Sequence, residues 1–394
     1  MIRNYQFRIY PSPRQELTLE NWLSSLCWAY NHFLEERKNY KETGKKFTAY
    51  SQGYELPSLK KLRPDLALVP ATACQEISGR LHKSFQDFFR RCNKREKPGY
   101  PRFKASHRFN SFTLVQSGWK FTPGEKRLQG RLSITRLGEM AIKNWKALPE
   151  SAKVKQVTVK RVAGQWFAVF CCEMPDQVPL AKTGKQVGLD VGLRALVTDS
   201  DGNVYGDLNP LKKRELQLRN KQRELSRKKK GSGRRLKTKQ ELAKAHVALK
   251  RTKDYQLHQI ANELVAKNDL VAIEALDIQG LQQKEGPSSQ GIHRNIGLAS
   301  WGTFFSLLSY KAEEAGRTLI KVNPRGTTQE CSACGQTVPK DLSVKVHSCD
   351  CGLCLGRDHN AAINILQRAL QAQRHVSRGD QLGQKSLGIP GIFA

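Results

Sequence analysis

Three features are scarce in this sequence: acidic residues, long apolar runs and an apolar N-terminal leader. Its 394 residues include 35 Asp and Glu against 67 Lys and Arg, and apolar residues make up 39%. No apolar run reaches the length of about 18 residues that a bilayer requires, so the sequence predicts no transmembrane helix. The opening MIRNYQFRIYPSP carries charge where a secretory signal has its apolar core, so we expect no signal peptide.

The formal net charge of +32 is the strongest signal in the composition. Self-repulsion of this size opposes a compact fold unless a polyanion neutralises it, and nucleic acid is the first candidate. An anionic membrane surface is the alternative, but no amphipathic anchor or lipidation motif supports it. Ten cysteines in a chain without a secretory leader favour metal thiolates in a reducing compartment over disulfides.

The first half of the chain combines β-rich segments with two amphipathic helices. Residues 1–10 and the segments SFTLV, GRLSITRL, VKQVTVKRV and QWFAVFCCE predict a small antiparallel β-barrel. Apolar residues at three-to-four spacing predict helices over residues 14–41 and 71–92, inserted within that barrel. The predicted core positions are Leu19, Trp22, Leu26, Tyr30, Phe33 and Leu34 in the first helix, and Ala73, Ile77, Leu81, Phe85, Phe88 and Phe89 in the second.

The second half alternates strand and helix patterns, which predicts an α/β domain. Strand patterns occur around the VGLDVG segment, in NDLVAIEAL and in RTLIKVNP, whereas residues 208–267 and 296–316 have helical patterns. The turn SRKKKGSGRR divides the first of these into a hairpin of two long helices. The polar segment 282–295 is predicted to be a loop that gates the site as a lid.

Three carboxylates stand beside apolar runs in this second half. Asp190 lies within VGLDVG, Glu274 lies near the end of VAIEAL, and Asp358 opens the helical pattern RDHNAAINI. Alone, each has an ordinary explanation, such as an N-terminal helix cap for Asp358. Together they need cations to offset their repulsion, and hard oxygen ligands favour Mg²⁺. Because two such ions about 4 Å apart support phosphodiester hydrolysis, the acids indicate nuclease chemistry.

Five cysteines between residues 331 and 354 predict a zinc site. Cys331 and Cys334 form a C-x-x-C-G half, a spacing that tetrahedral thiolate sites favour. The second half is irregular and offers four candidate ligands: His347, Cys349, Cys351 and Cys354. The residues alone leave the choice among them open.

The segments GLDVGLRAL, VAIEAL and CSACG…CG…RDHNAAINI resemble the three RuvC motifs and the zinc ribbon of the TnpB family, transposon-encoded relatives of the type V CRISPR effectors. The similarity includes QFRIYPSPRQ, KSFQDFF, PGYPRFK and LSRKKKGSGRR, so it spans nearly the whole chain. It implies a multidomain α+β and α/β fold, with an OB-like wedge β-barrel, an inserted helical recognition domain and an RNase H-like RuvC domain carrying a zinc ribbon. The implied boundaries are 1–10 and 108–180 for the wedge, 11–107 for recognition, 181–325 and 355–372 for RuvC, 326–354 for the ribbon and 373–394 for a flexible tail.

The resemblance also implies an activity: RNA-guided, Mg²⁺-dependent cleavage of double-stranded DNA beside a short transposon-adjacent motif. The guide RNA would come from the 3′ end of the transposable element. Asp190, Glu274 and Asp358 carry over as the catalytic acids, which implies two catalytic Mg²⁺ ions beside one structural Zn²⁺. We expect one chain per RNA in a prokaryotic cytoplasm, at the nucleoid when bound to DNA.

Two departures from the family pattern concern the metal sites. The second cysteine pair, Cys349 and Cys351, is one residue closer than the usual C-x-x-C-G. The distance from Cys351 to Asp358 nevertheless matches the family, so the expected zinc ligands are Cys331, Cys334, Cys349 and Cys351. In addition, Gly356 replaces an acid of the common Asp-Arg-Asp motif, which would weaken the site if that acid also binds metal.

Three basic regions are expected to contact nucleic acid. Segment 211–255 is the densest, with 18 Lys and Arg against 4 Asp and Glu. The expected contacts are Gln75, Arg80 and Lys83 with the duplex motif, Tyr100, Arg102, Lys104 and Arg108 with RNA, and Arg227, Lys228, Lys229, Lys230, Arg234 and Arg235 with a phosphate backbone. A solvated basic face is the alternative for each region.

Two other functions stay open on the sequence. An RNA-guided repressor that no longer cuts would have lost RuvC acids, whereas all three acids are present here. A transposase, or a transposase accessory protein, that joins DNA ends would use the same metals. A strand-transfer assay separates that function from hydrolysis.

Overall fold

The computed structural model describes residues 1–44, 47–124, 130–143, 148–283, 289–341 and 344–379. It divides the chain into two compact units, Met1–Asp176 and Gln177–Ala394. No helix within the described ranges is both long and apolar enough to cross a membrane.

The first unit is built on a seven-stranded antiparallel sheet. Its strands, in the spatial order β2-β6-β7-β1-β5-β4-β3, are β1 Ile2–Tyr10, β2 Ser111–Val115, β3 Trp119–Thr122, β4 Gly130–Ile134, β5 Gly138–Lys143, β6 Lys153–Val162 and β7 Gln165–Glu173. The N-terminal strand lies between β7 and β5, which confirms that residues 1–10 extend the sheet.

The predicted closed barrel is wrong for the part of the chain that the structure describes. No backbone ladder joins the outer strands β2 and β3 in those residues, so the sheet is open. The sheet curls instead, because the rings of Trp119 and Phe121 on β3 lie 6.2 and 4.9 Å from the ring of Phe170 on β7. Aromatic packing thus brings β3 over β7 without a closing ladder.

Among the residues described between β1 and β2 there are five α-helices: α1 Pro13–Lys38, α2 Tyr40–Thr43, α3 Ala49–Tyr54, α4 Leu56–Leu62 and α5 Ala71–Asn93. A capping box between Ser12 and Gln15, with Pro13 at the first helical position, begins α1. The apolar stripes predicted for α1 and α5 are buried, except for the last two positions of α5. Phe89 is 56% exposed and Phe88 is half-buried, and the two rings pack on each other near the end of the helix.

The second unit contains a five-stranded sheet in the order β10-β9-β8-β11-β12. The strands are β8 Gln186–Val191, β9 Ala195–Asp199, β10 Val204–Asp207, β11 Leu270–Glu274 and β12 Thr318–Val322. Strands β8, β11 and β12 are parallel, so their carboxyl ends share one edge of the sheet. Strands β9 and β10 are antiparallel extensions of that sheet, and Gly202 in the turn between them has φ +85°.

Helices α6 Asn209–Arg227 and α7 Gly233–Lys267 form the predicted hairpin, and α8 Ile278–Gln283, α9 Ser289–Ala299, α10 Trp301–Glu314 and α11 Arg357–Gly379 complete the second unit. The prediction of a loop over 282–295 is wrong where the structure describes it, because residues 289–299 form α9. Burial of Ile296, Leu298 and Ala299 stabilises this helix despite its polar composition. Residues 284–288 of that prediction lie outside the described residues.

The cysteine segment lies between β12 and α11 and includes a short hairpin of β13 Val346–Ser348 and β14 Cys354–Gly356. Helix α11 follows β14 directly and continues to Gly379, so the predicted tail is helical over 373–379. The remainder of that prediction, 380–394, lies outside the described residues.

Candidate active site and metal centre

The close packing of α11 on β8 brings the last acid towards the first. A Cβ built on Gly188 would lie 2.2 Å from the carbonyl oxygen of Ala362 and 2.7 Å from the amide nitrogen of Leu366. Only glycine permits this approach of strand and helix backbones. Asp190 follows Gly188 by two residues and shares its face of the strand, whereas Asp358 precedes Ala362 by one helical turn. The contact therefore places Asp190 and Asp358 at the same end of the packed pair.

The sheet register brings Glu274 beside Asp190. Leu189 pairs with Ile273 across the parallel strands, and Asp190 and Glu274 are the next residue on each strand. Their side chains thus leave the same face at the carboxyl ends of adjacent strands, which lie about 4.8 Å apart. The three predicted acids meet at one edge of the sheet.

The electrostatics of Asp190 reflect this proximity. The pKa of its carboxyl is raised well above the usual value, first by burial and then by the negative charges of Glu274 and Asp358. Arg357 and the backbone amide of Val191 act in the opposite direction. Burial also raises the pKa of Glu274, against a hydrogen bond from Thr327 and the charge of Arg368. Two buried carboxylates beside a third, partly exposed one concentrate negative charge that a divalent cation would offset.

Asp358 lies in the first turn of α11 and is more exposed than the other two acids, with 37% of its side chain accessible. Arg357 Nε donates to Asp358 Oδ1 at 3.0 Å. His359, adjacent in sequence, is turned away: its Nε2 lies 3.1 Å from the carbonyl oxygen of Ser200, and its ring packs over Gly202. His359 therefore anchors α11 to the β9–β10 turn rather than joining the three acids.

The four expected zinc ligands converge, and their ligand atoms all lie within 4.8 Å of one another. The Sγ atoms of Cys331 and Cys351 are 3.6 Å apart, as are those of Cys334 and Cys349. Thiolates at about 2.3 Å from a tetrahedral zinc ion would be about 3.8 Å apart, so the cluster fits this metal. Burial raises the pKa of the Cys331 thiol, but the amides of Cys334 and Ala333, together with the side chains of His347 and Cys351, outweigh it and lower the pKa to about 5.

Two similar turns build this cluster despite the irregular spacing. Gly335 donates its amide to Cys331, and Gly352 donates its amide to Cys349. Both glycines have positive φ, +77° and +91°, which closes each turn behind its second cysteine. The other two candidate ligands are not part of this group of four. Cys354 is exposed on β14, whereas His347 is buried on β13 with its Nδ1 against Lys340 Nζ.

Of the three residues expected to read a duplex motif, two are exposed to solvent and one is held by contacts within the protein. Gln75 and Lys83 are exposed on α5. Arg80 is engaged within its own unit, since its guanidinium donates to the backbone and side-chain oxygens of Ser111 at 2.9 and 3.1 Å and pairs with Glu76. Its side chain is 23% exposed, so it stabilises the junction of α5 with β2.

The four residues expected to contact RNA, between positions 100 and 108, also include both exposed and internally engaged side chains. Arg102 and Arg108 are exposed, and Tyr100 is 43% exposed while packing on Phe88. Lys104 instead lies over the rings of Tyr30 and Phe109, 4.2 and 5.6 Å from their centroids. Burial lowers the pKa of Lys104, and this side chain supports the core.

At the tip of the α6–α7 hairpin, four of the six predicted cations point to solvent: Arg227, Lys229, Lys230 and Arg234. The other two fasten the hairpin. Lys228 donates to Glu224 at 2.5 Å and to Thr238 at 2.6 Å. Arg235 donates to the carbonyl oxygens of Leu225 and Lys228, which satisfies the end of α6.

Sequence reasoning did not identify Thr327, Arg357 or Arg368 as residues of the acid site. Thr327 and Arg368 act on Glu274, and Arg357 acts on Asp190 and Asp358. Arg357 could have been identified from the sequence, because it is adjacent to Asp358. Thr327 and Arg368 are remote from Glu274 in the sequence and reach it only in the folded chain, from the β12–α11 connection and from α11 respectively.

Comparisons with known proteins agree with this architecture. A family described as "Probable transposase" matches residues 169–285, one described as "Cas12f1-like, TNB domain" matches 301–365, and one described as "Helix-turn-helix domain" matches 1–46. The fold is similar to that in a Cas12f1–sgRNA–target DNA complex, with TM-score 0.58, 13% identity, and coverage of 93% of this chain and 98% of that one. It is also similar to the mini-RNA-guided endonuclease CRISPR-Cas_phi3, with TM-score 0.53, 10% identity, and coverage of 94% and 92%.

Curated relatives are similar over almost the full length. A Streptomyces pristinaespiralis protein named "Putative RNA-guided DNA endonuclease" is 30% identical over 381 residues, covering 94% of this chain and 90% of the relative. The Escherichia coli K12 protein "Putative RNA-guided DNA endonuclease InsQ" is 26% identical, covering 93% and 92%. With the acid edge and the four-cysteine cluster, these similarities establish that the chain belongs to the TnpB family.

Proposed function

We propose that this protein is the RNA-guided DNA endonuclease of a transposable element and hydrolyses double-stranded DNA beside a short adjacent motif. The observation that carries the proposal is the convergence of Asp190, Glu274 and Asp358 at one edge of the second sheet. The names of the full-length relatives support guidance by RNA, and we propose the 3′ end of the element as its source.

In this proposal the second unit is an RNase H-like RuvC domain, and the first unit supplies an OB-like wedge and the helical recognition domain. Asp190, Glu274 and Asp358 would hold two Mg²⁺ ions, whose chemistry when bound is to polarise a phosphodiester and lower the pKa of water. The protein's own task is to hold three carboxylates at fixed positions in a region where Asp190 and Glu274 are both buried. Arg357 limits the repulsion among them.

The four cysteines Cys331, Cys334, Cys349 and Cys351 would hold one zinc ion with a structural role. Asn360 of α11 binds the backbone on both sides of Cys331, in the first cysteine turn. Its side chain accepts from Ser332 N at 3.0 Å and donates to Glu330 O at 2.7 Å. Because Asp358 lies on the same helix, the zinc turn would fix the helix end that carries this acid.

For nucleic acid, we propose contacts by the exposed members of each predicted region. Gln75 and Lys83 would read the duplex motif, and Tyr100, Arg102 and Arg108 would contact RNA. The four exposed cations at the hairpin tip would contact a phosphate backbone. The engaged residues Arg80, Lys104, Lys228 and Arg235 would hold these surfaces in shape.

The decisive experiment uses protein co-expressed with the DNA downstream of its gene. Bound RNA is sequenced, and a matched duplex library with randomised flanks is incubated with Mg²⁺. We expect cleavage that requires the RNA, Mg²⁺ and an invariant flank, that is lost in Asp190→Ala and is kept in Asp201→Ala, an exposed acid of the β9–β10 turn. Target binding without cleavage would refute the nuclease and favour a repressor, and joined DNA products would favour strand transfer.

A further inference from the structure

The connection from β12 to the first cysteine turn is held by one polar face of α11. Four side chains at helical spacing bind its backbone: Asn360, Asn364, Gln367 and Arg368. Arg368 donates to the carbonyl oxygens of Asn323 and Arg325, both at 2.8 Å, and pairs with Glu330 at 2.6 Å. This segment is therefore fixed to the helix that carries Asp358.

Two of these contacts are in the core. Asn360 is fully buried and Asn364 is 4% exposed. Asn364 Nδ2 lies 2.9 Å from the carbonyl oxygen of Thr327 and 2.7 Å from that of Glu330. Because a buried amide is costly without hydrogen bonds, these side chains specify a single conformation of the segment.

Thr327 links this segment to the acid edge. It is 2% exposed, and its Oγ1 lies 2.5 Å from Glu274 Oε1 and 3.1 Å from the carbonyl oxygen of Pro324. A hydroxyl has a single hydrogen to donate, and the shorter contact is with the carboxylate. Charge-assisted O–H···O⁻ hydrogen bonds have such short distances.

We propose that Thr327 is a positioning residue for the reaction: its hydroxyl fixes one oxygen of Glu274 and thereby aims the other oxygen at the cation shared with Asp190. The inference rests on the proposed function. A glutamate at a strand end has rotatable side-chain bonds and a broad terminal torsion, so its carboxylate needs an external partner to keep one orientation. Thr327 supplies that partner, and Asn364 holds Thr327 through its backbone.

The test uses three substitutions in the full chain with its RNA. Thr327→Val removes the hydroxyl and preserves the shape, Thr327→Ser keeps the hydroxyl, and Thr328→Val makes the same change at the adjacent half-buried position. Mn²⁺ binding is measured from the EPR signal of the free ion, and the ion lost in Asp190→Ala defines the site. Cleavage is measured against Mg²⁺ concentration in parallel.

We expect Thr327→Val to weaken Mn²⁺ binding at the site about 10- to 100-fold, as loss of a residue that orients a metal ligand does. The Mg²⁺ concentration for half-maximal cleavage should rise with it, whereas Thr327→Ser and Thr328→Val should match the parent. Wild-type Mn²⁺ affinity in Thr327→Val would overturn the proposal. So would equal weakening in Thr328→Val, because that pattern indicates a general loss of structure.

Zinc content and melting temperature are measured on every variant. If Thr327→Val loses zinc or unfolds, Thr327→Ala replaces it, and recovery of Mn²⁺ binding by Thr327→Ser remains the deciding comparison. Equal binding in the Ala and Ser variants overturns the inference. The Mn²⁺ readout needs no DNA cleavage, so a parent protein that binds the ion without cutting would refute the nuclease and leave this inference to its own test.

Discussion

Replacement of Gly188 by alanine should slow cleavage strongly, because the single added methyl group would clash with the backbone of α11. The new Cβ would lie 2.2 Å from Ala362 O and 2.7 Å from Leu366 N, whereas carbon contacts are optimal at about 3.5–4.0 Å. Both obstacles are backbone atoms, so α11 must move by about 1 Å. Overpacking of this kind typically costs about 1–3 kcal/mol of stability.

The same movement carries Asp358 away from Asp190, because Asp358 lies one helical turn before Ala362. A misplacement of about 1 Å in a catalytic group can reduce the rate about 100-fold. We therefore expect Gly188→Ala to cut matched DNA about 100-fold more slowly and to melt at a lower temperature. Both quantities are measured on the purified RNA complex, with zinc content as a check on the ribbon.

Gly302→Ala is the matched control, since its Cβ would meet only Ile278 Cδ1, at an ordinary 3.6 Å. Alanine is also the better helix former within α10, so this variant should be at least as stable as the parent. Parental cleavage and melting temperature in Gly188→Ala would refute the packing argument. Slow cleavage in both variants would show that the assay responds to any added methyl group.

Four further predictions concern charge and metal. Without divalent cations, Asp190→Asn should raise the melting temperature while abolishing cleavage, because it removes a buried charge whose pKa is raised by burial and by two neighbouring acids; a lower melting temperature would contradict this. Cys351→Ser should lose the bound zinc that Cys354→Ser keeps, as measured by elemental analysis, and the reverse result would reassign the ligands. Glutamine at the four exposed hairpin cations should reduce the salt-dependence slope of nucleic-acid binding by about three to four, whereas an unchanged slope places the polyanion elsewhere; the substituted residues are Arg227, Lys229, Lys230 and Arg234. Hydrogen bonds from Lys228 and Lys221 lower the pKa of Glu224 to about 2, so this carboxylate stabilises the hairpin above the unfolded pKa of about 4.3 and loses that effect as the pH falls towards 2. An NMR titration of the Glu224 carboxyl with a midpoint at the unperturbed value of about 4.3 would refute this prediction.

The sequence was informative wherever one local pattern decides the structure. The alternation in residues 1–10 and the apolar spacing of α1 and α5 predicted their elements, because burial of one face dominates their energetics. Residues 289–295 of α9 were missed because the stability of this helix comes from the burial of Ile296 and Leu298 at its other end, which the composition of 289–295 does not reveal. The predicted closed barrel was wrong because long-range packing of Phe121 on Phe170 curls the sheet without a closing ladder, and this contact is also not visible in the sequence pattern.

Within the site, sequence motifs predicted which residues converge but not which of their neighbours are already engaged. Arg80 and Lys104 have the composition of nucleic-acid contacts, yet Ser111 and two aromatic rings hold them in the first unit. Thr327 has no distinguishing pattern, because its partner Glu274 is remote in sequence. Such pairings depend on the folded path of the chain and require coordinates.

The docking of α11 on Gly188 sets the order in which the acid edge can assemble during synthesis. Asp190 and Glu274 emerge early on strands that pair directly, whereas Asp358 arrives only with the helix that covers them. A ribosome-bound chain that has not yet released residues 357–379 would hold two of the three acids and an uncovered sheet face. Under the proposed function, the third acid would join the site only after these residues are released and α11 docks on Gly188.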